Sequence, residues 1–231
     1  MGLLSWIFGR RDPPNCVAGS AQPTARGMMH CGKCGEIVIT PPSNEYPPGS
    51  RWLCHQCATR RVNSAALLAE LYEEVSHFIQ DRMGVDISLW LPPEAVLVKS
   101  ANTLVPREQR ILLGKAKYTE NHIPILGRRW ISNVEVYILR ELDYLQAGSV
   151  LAHEMFHVYS AANGLNLDHV TEEGTANLWG YLFLRHHPGI ESDRHREELL
   201  KSMDPVYGAG FRKARDNYKK CTGFQEYLSL L

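Results

Sequence analysis

His153 and His157 stand four residues apart, and Glu154 follows directly after the first of them. In a helix this spacing puts both imidazoles on one face, a turn apart, so that both can reach one metal ion. Zinc suits such a pair, and a zinc that keeps one position open for water points to a hydrolase. Glu154 is then placed beside the metal, where its carboxylate can take a proton from metal-activated water and later deliver it to a leaving amine. A catalytic zinc is expected to have three protein ligands, which leaves one to find. Glu172 and Glu173 are the candidates. Glu173 is favoured because it shares a helical stripe with Ala176, Asn177 and Gly180, whose small side chains let that helix approach the first closely. Asn177, one turn further on, can orient a histidine ligand by a hydrogen bond from behind. His169, His186, His187 and His195 read as surface or supporting groups, because a fourth protein ligand would close the site.

A second constellation lies upstream. Cys31 and Cys34 form one C-x-x-C pair, and Cys54 and Cys57 form another after nineteen intervening residues. That spacing suits a tetrahedral four-thiolate structural zinc, in a zinc-ribbon or LIM-like module. Paired disulfides are the alternative, but the opening run Met1–Arg11 has its charges after a very short apolar stretch, the wrong layout for a secretion signal. His30 and His55 read as neighbours of the thiolates, and Cys16 and Cys221 as plain thiols.

The elements that must position these groups can be read from periodicity and punctuation. Leu67, Leu68, Leu71, Val75, Phe78 and Ile79 follow helical spacing between a cap at Asn63 or Ser64 and a stop at Gly84. Residues 95 to 140 read as strand and turn, with a short strand at Ala95–Lys99 and a stronger one at Val134–Leu139. Another short strand is expected at Glu36–Ile39. Helices follow at 149 to 163, with Ser149 as cap and Gly164 as stop, then at about 169 to 185, 191 to 203 and 210 to 230. Strands feeding a helical second half without regular alternation predict an α+β fold. The expected organisation is a lead-in over 1–28, a four-cysteine zinc module over 29–62 and a larger domain over 63–231.

The chain has 231 residues, 44% of them apolar, and its 25 basic residues balance its 25 acidic ones. Such a composition suits a soluble globular protein and offers no general field for nucleic acid or an anionic membrane. No nucleic-acid partner is expected, membrane contact is not favoured, and a cytoplasmic location is expected.

Gly148-Ser-Val-Leu-Ala-His-Glu-Met-Phe-His157, the following Glu172-Glu173-Gly174 and the late Pro205-Val-Tyr-Gly-Ala-Gly-Phe-Arg212 resemble the peptidase domain of the DA-one family, LIM-associated zinc metallopeptidases of the gluzincin type. The resemblance spans residues 64 to 231. It implies a zincin-like fold and zinc-dependent endopeptidase activity on a protein or peptide substrate, with zinc on His153 and His157 and Glu154 catalytic. The matching Pro-Val-Tyr-Gly segment suggests Tyr207 as a group that could stabilise the tetrahedral oxyanion. It also makes Val134–Leu139 similar to the strand that would lie beside an extended substrate. Plant members carry ubiquitin-interacting motifs and a fuller LIM region, which this chain does not match, so ubiquitin regulation is not carried over. The expected cofactors are two zinc ions, one catalytic and one structural. The zinc module could also recruit a protein partner, and the alternative reading of the whole chain is a non-catalytic zinc-containing interaction scaffold.

Overall fold

The computed structural model describes residues 29–30, 37–38, 61–99, 112–123, 128–140 and 142–231. The chain divides into two units, the smaller being Arg10–Arg61 and the larger including Val62–Leu231. In the smaller unit the described backbone is one antiparallel pair, β1 (Met29–His30) with β2 (Ile37–Val38), in the register Met29↔Val38 and His30↔Ile37. The lead-in over 1–28, the four cysteines Cys31, Cys34, Cys54 and Cys57, and Cys16 and His55 lie outside the described residues. Two further two-residue strands, β3 (Arg61–Val62) and β7 (Leu142–Asp143), precede the first and second helices.

The larger unit is of mixed α and β structure. Helix α1 (Ala65–Met83) begins where the Ser64 side chain accepts from the Leu67 amide and ends at Gly84, in the left-handed region at φ 68°. Both ends match the signals in the sequence. Its stripe of Leu68, Leu71, Val75, Phe78 and Ile79 is buried in the core.

The sheet has three strands in the order β4 (Val96–Lys99), β6 (Arg128–Leu139), β5 (Gly114–Ile123). β4 runs parallel to β6, and β5 runs antiparallel to it with an irregularity between Lys117 and Thr119. β6 is therefore the central strand, with both edges taken over Val136–Leu139. The expectation that Val134–Leu139 lies beside an extended substrate is corrected: among the described residues the edge strands of this sheet are β4 and β5.

Helix α2 (Tyr144–Ala162) carries the two histidines and is the hub of the unit, with 13 of its 19 residues buried. A helix buried on nearly every face belongs in the middle of a core. It starts earlier than expected. Asp143, whose carboxylate accepts from the Gln146 amide, is its N-cap, and Ser149 is an interior residue only 3% exposed. Gly148 lies inside the helix, and the Phe183 ring fills the space where a side chain would be. Gly164, at φ 63°, ends it as expected.

Helix α3 (His169–His186) packs against α2, and Gly180 of α3 comes so close to Ser149 that a Cβ there would meet the Ser149 carbonyl at 2.6 Å. Helix α4 (Ile190–Lys201) follows. The single helix expected over 210 to 230 is instead two, α5 (Tyr207–Tyr218) and α6 (Phe224–Ser229). The break falls where Glu226 draws both the amide and the hydroxyl of Thr222 to its carboxylate, just before the extended Gly223. Trp179, Phe156, Phe183 and Phe211 are fully buried among these helices and the sheet. No described helix is long and apolar enough to cross a membrane.

Candidate metal centre

His153 and His157 project from one face of α2, and Glu173 meets them from the first turns of α3. All three are fully buried. The two Nε2 atoms are 3.1 Å apart, and Glu173 Oε2 lies 3.3 Å from His153 Nε2 and 3.6 Å from His157 Nε2. Zinc with nitrogen and oxygen ligands at 2.0–2.1 Å has tetrahedral edges of about 3.3 Å, so this triangle has the size of one face of such a shell. The three residues could hold a metal ion.

The groups behind the ligands are placed to match. His153 Nδ1 lies 3.1 Å from Asn177 Oδ1, and the Asn177 amide nitrogen donates to the Tyr207 carbonyl at 3.1 Å. His157 Nδ1 lies 3.3 Å from Glu172 Oε1. With a hydrogen on each Nδ1, both Nε2 lone pairs face the common centre. The adjacent glutamates thus differ in place: Glu173 faces the centre and Glu172 lies behind His157. Apart from the two imidazoles beside Oε2, no group donates to the Glu173 oxygens, and Glu154 Oε1 has no hydrogen-bond partner. Buried carboxylate oxygens without donors are costly unless a cation answers them.

Without an ion, protons carry the positive charge that the cluster demands. Burial opposes charge on His157, but Glu172 and Glu173 outweigh it and raise the ring's pKa to about 10. Burial would raise Glu173, yet hydrogen bonding to His153 and His157 and the charge of those rings bring it down to about 2. On His153 burial wins, and its pKa falls to about 4.

Glu154 turns away from the ligand triangle to the outer edge of β5. The Leu139 amide donates to the Leu113 carbonyl at 2.8 Å, so residues 113 and 139 form a hydrogen-bonded pair. In an antiparallel ladder such pairs alternate, so Gly114 and Ala116 aim their amides and carbonyls outward. The Ala116 amide there donates to Glu154 Oε2 at 2.7 Å. Burial pushes the Glu154 carboxyl up to about 8. A Cβ on Gly114 would come within 2.4 Å of Val150 and 2.9 Å of Glu154 Oε1, so glycine lets the strand pass this close to α2.

Tyr207 begins α5, where the Asp204 carboxylate accepts from its amide. Its ring stacks edge-on to His169, whose Nδ1 is 3.8 Å from Glu173 Oε1. His195 and His187 lie elsewhere, on Asp143 and Glu74 respectively.

A family model described as DA1-like, Protein DA1, matches residues 120–204. Over that stretch the chain is similar to that family. The matched stretch contains all three residues of the triangle, Glu154, Glu172 and Asn177. Tyr207 and the Gly114–Ala116 edge fall outside it. Comparison with curated proteins and with solved structures gives no match.

Three contributors were not read from the sequence. Ala116 acts through its backbone amide, which any residue but proline would supply. Gly114 gave the one available hint, a glycine at the head of a strand, where it marks a close approach. Tyr118 is buried on the same strand, and burial together with the charges of Glu172, Glu120 and Glu154 pushes its hydroxyl pKa upward.

Proposed function

We propose that the chain is a zinc-dependent endopeptidase with a zincin-like fold, in which Glu154 is the general base. The observation that carries this reading is the placement of one buried carboxylate between a metal-sized His153, His157 and Glu173 triangle and the outer edge of β5. A zinc ion held by those three residues would supply Lewis acidity, acidifying a water and polarising a carbonyl oxygen.

The chain's own groups account for the other requirements. An extended peptide can lie along the outer edge of β5 on the side of Glu154, whose Oε2 already takes the Ala116 amide. The Glu154 carboxylate, held at Oε2 by the Ala116 amide, keeps Oε1 available to take a proton from the attacking water. The same oxygen can then give that proton to the leaving amine. Tyr207 is the proposed donor to the developing oxyanion. The four cysteines, by their spacing, are proposed to hold a second, structural zinc in a module that could recruit a protein partner.

The test is cleavage of a mixed peptide library, read by mass spectrometry as new amino termini, with wild-type and Glu154→Gln proteins loaded with zinc. Loss of the base is expected to cost about a hundredfold or more in rate with zinc still bound. Equal cleavage by the two proteins, or none by the zinc-loaded wild type, would overturn the reading.

A further inference from the structure

Helix α3 presents a second set of side chains away from the metal triangle. Leu178, Tyr181, Leu182 and Arg185 recur at helical spacing, and with Arg215, Tyr218 and Lys219 of the α5 region they line a cavity of about 210 Å³. A neighbouring hollow of about 430 Å³ shares Leu182, Arg185 and Tyr218 with it and adds Arg82 and His186. The shared walls make one groove.

The charge of this groove is unbalanced. Asp216 lies 3.6 Å from Arg215 and 3.3 Å from Lys219, one carboxylate for two cations. Among the described residues, neither Arg185 nor Arg82 has an ion-pair partner. Arg215 also buries its Nε without a hydrogen-bond acceptor. An unanswered buried donor on a cation is costly, and an acceptor entering the cavity would relieve it. The chain as a whole is neutral, so this cluster is not a sample of a general basic excess.

The walls narrow the choice of ligand. Leu182 gives an apolar floor with Leu178 beneath it, and Tyr181 and Tyr218 line the same cavity as the cations. Carboxylates can pair with the guanidinium groups while aliphatic side chains rest on that floor. We propose that this groove binds an acidic peptide segment, one that alternates carboxylate and aliphatic side chains. Glu173 and Arg185 are twelve residues apart on α3, about 18 Å along its axis at 1.5 Å per residue. The segment held here is therefore distinct from anything at the metal centre, and the proposal does not depend on hydrolysis.

The experiment is fluorescence anisotropy of a fluorescein-labelled peptide repeating Glu-Glu-Leu, titrated with the full chain, beside a Gln-Gln-Leu counterpart. Binding is expected for the acidic peptide alone, weakening as salt rises. The double variant Arg185→Gln, Lys219→Gln alters two solvent-facing side chains and is expected to keep the wild-type Tm. It should bind the acidic peptide about tenfold or more weakly. Absence of binding, equal binding of the Gln-Gln-Leu peptide, or an unchanged affinity in the double variant would each overturn the proposal.

Discussion

His157 is held between two neighbouring glutamates, with Glu172 Oε1 3.3 Å from its Nδ1 and Glu173 Oε2 3.6 Å from its Nε2. One imidazole therefore separates a carboxylate that faces the centre from one that orients the ring. Glu173→Gln is expected to abolish tight zinc binding. Glu172→Gln should weaken it by about 10- to 100-fold, the usual cost of losing a partner behind a ligand. Competition with a chromophoric chelator measures both, and equal effects of the two variants would contradict this division.

Metal removal is expected to destabilise the larger unit, because an ion held by the three buried groups binds the folded arrangement and not the unfolded chain. At a free zinc concentration a hundred times Kd, the gain is about 2.7 kcal/mol. Thermal unfolding of chelator-treated protein against zinc concentration would show it as a rising Tm. A Tm that ignores zinc would count against the site.

Gly174 packs against α5 so closely that a Cβ there would lie 2.4 Å from the backbone of Gly210. No rotamer change can relieve a clash with backbone. Gly174→Ala is expected to cost about 3 kcal/mol, at the upper end of overpacking effects. Urea denaturation would reveal it as a lowered midpoint, whereas a change of a few tenths would mean the helices separate easily.

His195 of α4 lies 3.0 Å from Asp143, the residue that caps α2, and 3.4 Å from Glu198, with Arg194 3.5 Å from the same aspartate. Burial opposes charge on the ring, but Asp143 and Glu198 outweigh it and its pKa is raised. A raised histidine stabilises fully below its unfolded pKa of about 6.5 and loses that contribution as pH climbs through the folded value. The Tm difference between wild type and His195→Gln should accordingly be largest below about pH 6.5 and shrink in the alkaline range. A difference that grew with pH would refute the charged pairing.

Local structure was legible wherever neighbouring residues alone decide it. Ser64 and Gly84 bound α1, Gly164 ends α2, and the histidines share a face because of their spacing. Caps chosen by competition were harder to read. Ser149 is a good cap by type, but Asp143 stands six residues earlier and the Phe183 ring covers the intervening Gly148. The split between α5 and α6 likewise depended on Glu226 reaching back to Thr222.

The sequence by itself determined which residue types could hold a metal and which helix would carry two of them, because a four-residue spacing and a helical period are local facts. It also favoured Glu173 over its neighbour through the small residues that let α3 approach α2. Only the tertiary structure decided that Glu172 lies on the far nitrogen of His157, that β4 and β5 rather than β6 are the edge strands, and that Glu154 is tied to Ala116. Each of these depends on how elements distant in the chain pack and pair. Strand order and helix rotation follow from the burial of the whole core, and no single stretch of residues encodes them.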